Sequence, residues 1–219
     1  MTSIPWKKTF SHNGLLYLIL DTQIRPYSPA GSGSWLRELL RAGIDIVQLR
    51  FHRESDKDIL AYASNLSKIV RQEKKVFLIN NRCDIAISSN AHGVHLGATD
   101  IPVKIARKIL GKSAVVGKTV HSVSELRRFQ EEPVEYLGIG PWYKSALKPD
   151  LTPFPRTQLT RALREARKPL FAVGGIHEAN AERTIREGAR NIVVCRGILS
   201  QPKPVQSTKK IKECLRRAI

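Results

Sequence analysis

The residues in this chain best suited to chemistry are polar side chains that recur at the ends of short apolar runs. Gln48, Arg50 and His52 close "DIVQLRFH", and Asn80, Asn81 and Arg82 close "VFLINNR". Asp100 ends "GVHLGATD", and Thr119 and His121 end "AVVGKTVH". Further on, Ser145 and Lys148 lie in "YKSALKP", Gly174 and Gly175 follow "LFAV", and Arg196 and Gly197 follow "NIVVC". Cations, amides and glycines in this mixture suit an anion, phosphate above all. Glycine turns that lead into helix starts leave backbone N–H groups free to face a phosphate.

Such residues work together only if the elements between them bring the run ends to one place. The apolar, β-branched runs predict eight strands, at 15–20, 45–50, 76–80, 93–96, 114–117, 135–140, 170–174 and 191–195, with helical patterns between them. Ser34 is placed to cap a helix with Leu36, Leu39 and Leu40 on one face, stopped by Gly43. Ser55 with Asp58 starts another, Ser122 with Glu125 forms a capping box, and Pro102, Gly111 and Gly188 suit helix ends. Eight βα units point to a compact (β/α)8 TIM barrel as a single domain over 1–219, with an open doubly wound sheet as the alternative. Residues 1–13 and 202–207 read as loose, and 201–219 as a basic helix closing the barrel. In a barrel the carboxyl ends of the strands share one mouth, and there Gly174-Gly175 and Arg196-Gly197 fall at the two strands where barrels often bind phosphate.

Composition narrows the class of protein. At 219 residues, 42% hydrophobic and 26% charged, the chain can bury one good core. No apolar run reaches the roughly 18 residues of a membrane span, and the first residues lack the apolar stretch and cleavage site of a signal peptide, so a cytoplasmic location is expected. Three widely spaced cysteines, Cys83, Cys195 and Cys214, make neither a disulfide framework nor a zinc site. Lys and Arg outnumber Asp and Glu 37 to 19, for a net charge of +18. The basic residues are scattered through helices without interleaved aromatics or a recognisable DNA- or RNA-binding motif, so nucleic acid is not the expected partner.

The succession "QLR", "LINNRCDIAI", "GVHLGATD", "GKTVHS", "YLGIGPWY" and "FAVGGI" resembles, in order and spacing over about residues 15–200, the family of thiamine-phosphate synthase and the thiazole tautomerase TenI. The resemblance implies an alkyl transfer: hydroxymethylpyrimidine diphosphate loses pyrophosphate and the nitrogen of a thiazole phosphate captures the pyrimidine methyl cation. It implies magnesium on Asp100 and Asn81, the latter standing where the synthase has an Asp. It further implies the pyrimidine diphosphate on Gln48, Arg50, His52 (usually Lys) and Asn80, a hydroxyl at Thr119, and phosphate contacts from Ser145, Lys148, Gly175, Arg196 and Gly197. Arg50, Lys148 and His121 are the expected catalytic groups. His121 resembles the tautomerase acid/base, which makes a metal-free isomerase the alternative. A non-catalytic phosphate-ligand or nucleic-acid-binding paralogue is a third reading, and a homo-oligomer is compatible with all three.

Several of these residues also have plain structural readings. Asn81 and Asp100 each precede a candidate helix and suit an N-cap. His121 suits a hydrogen-bonded histidine at a helix start, Lys148 a solvated loop, His95 the core or the lining of a site, and Trp142 and Tyr143 the shaping of a loop. Arg50 has no comparable alternative, because an unpaired guanidinium is costly to bury.

Overall fold

The computed structural model describes residues 6–26, 32–144 and 151–218. Eight parallel strands, β1 (Leu16–Asp21), β2 (Ile46–Arg50), β3 (Val76–Asn80), β4 (Gly93–Leu96), β5 (Val115–Val120), β6 (Tyr136–Ile139), β7 (Leu170–Val173) and β8 (Asn191–Val194), pair in sequence order, and β8 pairs with β1 to close a barrel. The barrel reading therefore holds and the open sheet does not. Helices α1 (Trp6–Thr9), α2 (Ser32–Ala42), α3 (Asp56–Gln72), α4 (Cys83–Ser88), α5 (Val103–Leu110), α6 (Val123–Phe129), α7 (Arg156–Glu165), α8 (Glu178–Arg186), α9 (Arg196–Leu199) and α10 (Pro204–Arg216) connect and flank the strands. Among the described residues no helix is long and apolar enough to cross a membrane.

Both faces of each strand are buried, so the strands read as unbroken apolar runs, and two separate cores result. Between strands and helices lies a shell that includes Leu18, Leu36, Val47, Leu66, Phe77 and Ile139. Inside the barrel, Phe10, Tyr17, Ile46, Leu78, Tyr136 and Phe171 form a second cluster. Phe10 stacks on Tyr136 with ring centroids 5.1 Å apart, and Tyr136 meets Phe171 edge-on at 5.1 Å. Contacts of this kind contribute about 0.5–1.5 kcal/mol each beyond the area they bury. Room for the Tyr136 ring comes from Gly117, where a Cβ atom would fall 2.1 Å from the phenol carbon Cζ.

Three local expectations need correction. Residues 6–13 are not loose: Phe10 is buried and plugs the amino-terminal end of the barrel, because the floor needs an apolar cover there. The stretch 202–207 is helical from Pro204, whose fixed φ suits the first turn of α10. That helix packs on α8 and α2, and Lys212 ties it to Asp45 (2.5 Å) and the Gly14 carbonyl (2.7 Å). Finally, Ser34 lies inside α2 and not at its cap, since the helix starts two residues earlier.

The remaining caps follow the sequence more closely. The Ser55 side chain accepts from Asp58 N–H, and Ser122 accepts from Glu125 N–H. Glu125 reaches back one residue further than a capping box requires, accepting from His121 N–H at 2.7 Å.

One buried histidine makes stability depend on pH. His92 is 7% exposed and its Nδ1 accepts the Phe77 N–H at 3.0 Å; burial, with Arg71 nearby, pushes it down to about 4. The folded state thus refuses a proton that the unfolded chain binds near pH 6.5, so stability falls as pH drops from about 6.5 towards 4, by up to about 3 kcal/mol. Urea midpoints at pH 7.5 and 5 should show that fall, and a smaller one in His92→Asn.

Candidate active site

Residues of one parity point into the barrel, and climbing each strand in steps of two leads from the apolar floor to the polar mouth. On β2 the climb runs Ile46, Gln48, Arg50; on β3, Val76, Leu78, Asn80; on β5, Val115, Gly117, Thr119. These ends surround a cavity of about 1000 Å³. Gln48, Arg50, Asn80, Asn81, Asp100 and Thr119 all line it, as do His121, Gly175, Arg196 and Gly197. Three cations, Arg50, Lys144 and Arg196, face a single carboxylate, Asp100, among the described lining residues. That balance favours an anionic ligand.

Thr119 is a correction in placement: it lies within β5, which runs three residues past its predicted end because the β-branched Thr119 and Val120 continue the alternation past Lys118. Ser145 and Lys148 lie outside the described residues. Arg82, which carries no predicted site role, pairs with Asp84 and Asp56.

His52 departs from the expected substrate contact. It is not among the cavity-lining residues, and its Nε2 sits 3.0 Å from Asp21 Oδ1. Asp21, fully buried at the end of β1, also accepts from Gln23 N–H at 3.0 Å and stands 3.6 Å from Arg50 Nε. Arg50 is thereby held at the mouth with its guanidinium partly exposed. The sequence signal for Asp21 is a charged residue ending the first apolar strand.

The N-cap readings of Asn81 and Asp100 are also corrected. Arg82 occupies the cap position of α4 and Pro102 that of α5. Asn81 adopts a left-handed conformation, φ +55°, which Asn tolerates better than most residues, and donates its N–H to His95 O at 2.9 Å. Asp100 Oδ2 accepts the Gly97 N–H at 2.6 Å, closing a tight turn. Lys118, within β5 with its side chain buried on the helix-facing side of the sheet, fastens that turn by donating to Gly97 O and lies 5.0 Å over the Phe129 ring. Burial lowers its pKa, while Asp100 and Glu125 pull the other way.

Asp100 and Asn81 therefore offer one carboxylate and one amide oxygen to the same cavity. Among the described residues no three His, Cys, Asp or Glu side chains converge as a metal cage. This donor set fits a magnesium ion that arrives with phosphate oxygens and water as its other ligands, the usual habit of that ion.

Opposite, His121 donates from Nδ1 to Gly140 O at 2.7 Å, since a carbonyl can only accept; the neutral ring then has its lone pair on Nε2. Gly175 has φ +66°, and a Cβ atom there would fall 2.5 Å from Lys144 O, so the turn after β7 admits only glycine without rearrangement. Asn180 donates from Nδ2 to Gly175 O at 2.9 Å and accepts from His177 N–H at 2.8 Å, bracing that turn against the start of α8. Cys195 lines the cavity as a neutral thiol, pushed up to about 12 by burial. Trp142 is a loop-shaping residue as expected, with Nε1 donating to Glu187 at 2.9 Å.

His95 belongs to the lining of the site. Its Nδ1 lies 2.8 Å from Tyr136 Oη and its Nε2 2.7 Å from Thr119 Oγ1. Strand parity was the signal available: His95 pairs in register with Asn80 and Gly117, both inward.

Fold and cavity together define a (β/α)8 barrel with a polar, cation-rich cavity at the carboxyl ends of the strands. A family model described as thiamine monophosphate synthase matches residues 16–198, and the chain belongs to that family. It is 34% identical over 188 residues to the thiamine-phosphate synthase of Clostridium acetobutylicum, covering 86% of this chain and 88% of that one. To the thiamine-phosphate synthase of Thermosynechococcus vestitus it is 37% identical over 178 residues, 81% of this chain and 50% of that one. The chain spans about half the length of the first several curated relatives it matches. Among solved structures, thiamine phosphate pyrophosphorylase from Pyrococcus furiosus superposes with a TM-score of 0.85 at 23% identity, covering 94% of this chain and 98% of that one, a likeness of fold.

Replacing Asp21 tests the anchor beneath the mouth. Asp21→Ala removes the acceptor for Gln23 N–H and the partner of Arg50 and His52, but water reaches both of these, whose side chains are 26% and 22% exposed. The expected loss is about 2 kcal/mol, read from urea unfolding.

Proposed function

We propose that this chain is a thiamine-phosphate-synthase-like transferase, condensing hydroxymethylpyrimidine diphosphate with thiazole phosphate to give thiamine phosphate and pyrophosphate. The observation that carries the reading is the cation-rich cavity, with Arg50 held by buried Asp21 and a glycine-only turn after β7, in a chain of this family. The C–O bond between the pyrimidine methylene and the diphosphate breaks with its electron pair going to pyrophosphate. The thiazole nitrogen lone pair then forms the new C–N bond, and no proton need move.

On this reading Arg50 and Lys148 take up charge on the departing pyrophosphate, a task for fixed cations in a water-poor cavity. Gln48, Asn80 and Thr119 orient the pyrimidine. Ser145, Gly175, Arg196 and Gly197 hold the thiazole phosphate, which aligns the nucleophile. His52 acts through Asp21, sharing with Arg50 the carboxylate that fixes the guanidinium. His121 lines the cavity with its Nδ1 tied to Gly140 O, and it is the group a thiazole tautomerase would use as acid/base. Magnesium, held by Asp100 and Asn81, would supply further positive charge to the diphosphate when bound. A cytoplasmic setting, and a basic surface that serves neither membrane nor nucleic acid, belong to the same reading.

Purified protein given both substrates and magnesium should form thiamine phosphate. No product, or magnesium-independent isomerisation of the thiazole phosphate alone, would overturn the proposal. In calorimetric titrations of hydroxymethylpyrimidine diphosphate, added magnesium should tighten binding, and Asn81→Asp should lower the magnesium concentration needed by about tenfold, roughly the effect of one added charge-assisted contact of about 1.4 kcal/mol.

A further inference from the structure

The cavity floor carries a line of hydrogen bonds that joins two residues of the proposed pyrimidine site, Gln48 and Thr119, through three that have no role in it. Gln48 Nε2 donates to Tyr17 Oη at 2.9 Å, and the Tyr17 and Tyr136 hydroxyls lie 3.0 Å apart. Tyr136 Oη is 2.8 Å from His95 Nδ1, and His95 Nε2 is 2.7 Å from Thr119 Oγ1. The five side chains come from β2, β1, β6, β4 and β5 in turn. They span the barrel from an apolar layer below to the open cavity above.

Each member has a fixed number of protons to place. Burial raises the pKa of both phenols, so each keeps one hydroxyl proton and can donate once. If Tyr17 accepts from Gln48, its own proton goes to Tyr136; Tyr136 must then donate to His95 Nδ1, which leaves the imidazole proton on Nε2, facing Thr119. A break in this order would strand a hydroxyl proton or set two lone pairs against each other, which is costly in the buried interior. The whole line therefore points one way or the other, and the amide of Gln48, itself 2% exposed, decides which.

We infer that Gln48, through Tyr17 and Tyr136, fixes His95 in its Nε2–H form and so turns the hydroxyl proton of Thr119 into the cavity. Tyr17, Tyr136 and His95 are positioning residues: they act on a ligand only through Thr119. The floor then offers a donor, selecting a ligand that presents an acceptor atom to Thr119 and disfavouring one that presents an N–H. The opposite direction would need the Gln48 carbonyl turned to Tyr17, and would leave the Thr119 oxygen as the acceptor. This polarity is a property of the floor whichever reaction the cavity runs.

Nitrogen-15 NMR of the histidine-labelled full chain tests it without substrate. His95 can be picked out from the six histidines by its absence in His95→Gln. The wild-type protein should show His95 neutral, with the proton on Nε2 and none on Nδ1. Tyr136→Phe keeps the ring in the space left by Gly117 but removes the donor, and should lower the Nε2–H to Nδ1–H ratio about fivefold, the worth of one hydrogen bond. Tyr17→Phe cuts the path from Gln48, leaves the Tyr136 hydroxyl free to donate to His95 or accept from it, and should lower the same ratio towards parity. A proton on Nδ1 in the wild type, or an unchanged ratio in Tyr136→Phe, would overturn the inference; if that variant fails to fold, the wild-type spectrum decides alone.

Discussion

Two phenol hydroxyls in contact at the centre of the barrel set the level at which packing gives way to chemistry. Below the Tyr17–Tyr136 contact the interior is rings and branched aliphatics, Phe10 and Phe171 foremost, closed from beneath by a residue that precedes the first strand. Above it the inward side chains are an amide, an imidazole, a hydroxyl and a guanidinium. Tyrosine suits that boundary because its ring belongs to the core and its oxygen to a polar layer. Moving either ring by one strand step would open the cavity towards the floor or bury polar groups that have no partners.

At the rim, the charges are held by partners chosen to leave them available. A carboxylate with no solvent exposure positions Arg50 from behind, so the cation is oriented without being surrounded. The Asp100 turn is held in a different way, by its own closure onto Gly97 N–H and by a buried lysine on the far side of β5. Both devices fix a side chain partly through a buried charge that does not line the cavity, Asp21 in one case and Lys118 in the other. A site of this kind comes to its ligand with little left to reorganise, which is where most of the electrostatic advantage of an enclosed cavity lies.

How much of this was legible in the sequence depended on the kind of signal. All eight strands were, within about a residue at most ends, because strands buried on both faces leave long apolar runs bounded by polar residues. The end of β5 was not, since Lys118 reads as a loop residue until its amine finds Gly97 O behind the sheet. The residues at strand ends were readable as a group, and most of them line the cavity. His52 was read from its neighbours alone, and its actual partner, Asp21, comes from a strand 31 residues earlier. The N-cap readings of Asn81 and Asp100 rested on adjacency to a helix, whereas backbone geometry gave one a left-handed turn and the other a bond to Gly97. His95 was hidden in a run of four strand residues, and only counting by twos separates it from the core.

The missing Cβ atom of Gly117 has a consequence that reaches beyond packing. Because the Tyr136 ring fills the volume that any side chain at 117 would need, the two positions are locked to each other over evolutionary time. A lineage that gains even a methyl group at 117 must first surrender the tyrosine, and with it the hydroxyl that faces His95. The order in which these two sites can drift is therefore constrained: position 136 can change alone, whereas a side chain at 117 requires that the Tyr136 ring be already gone.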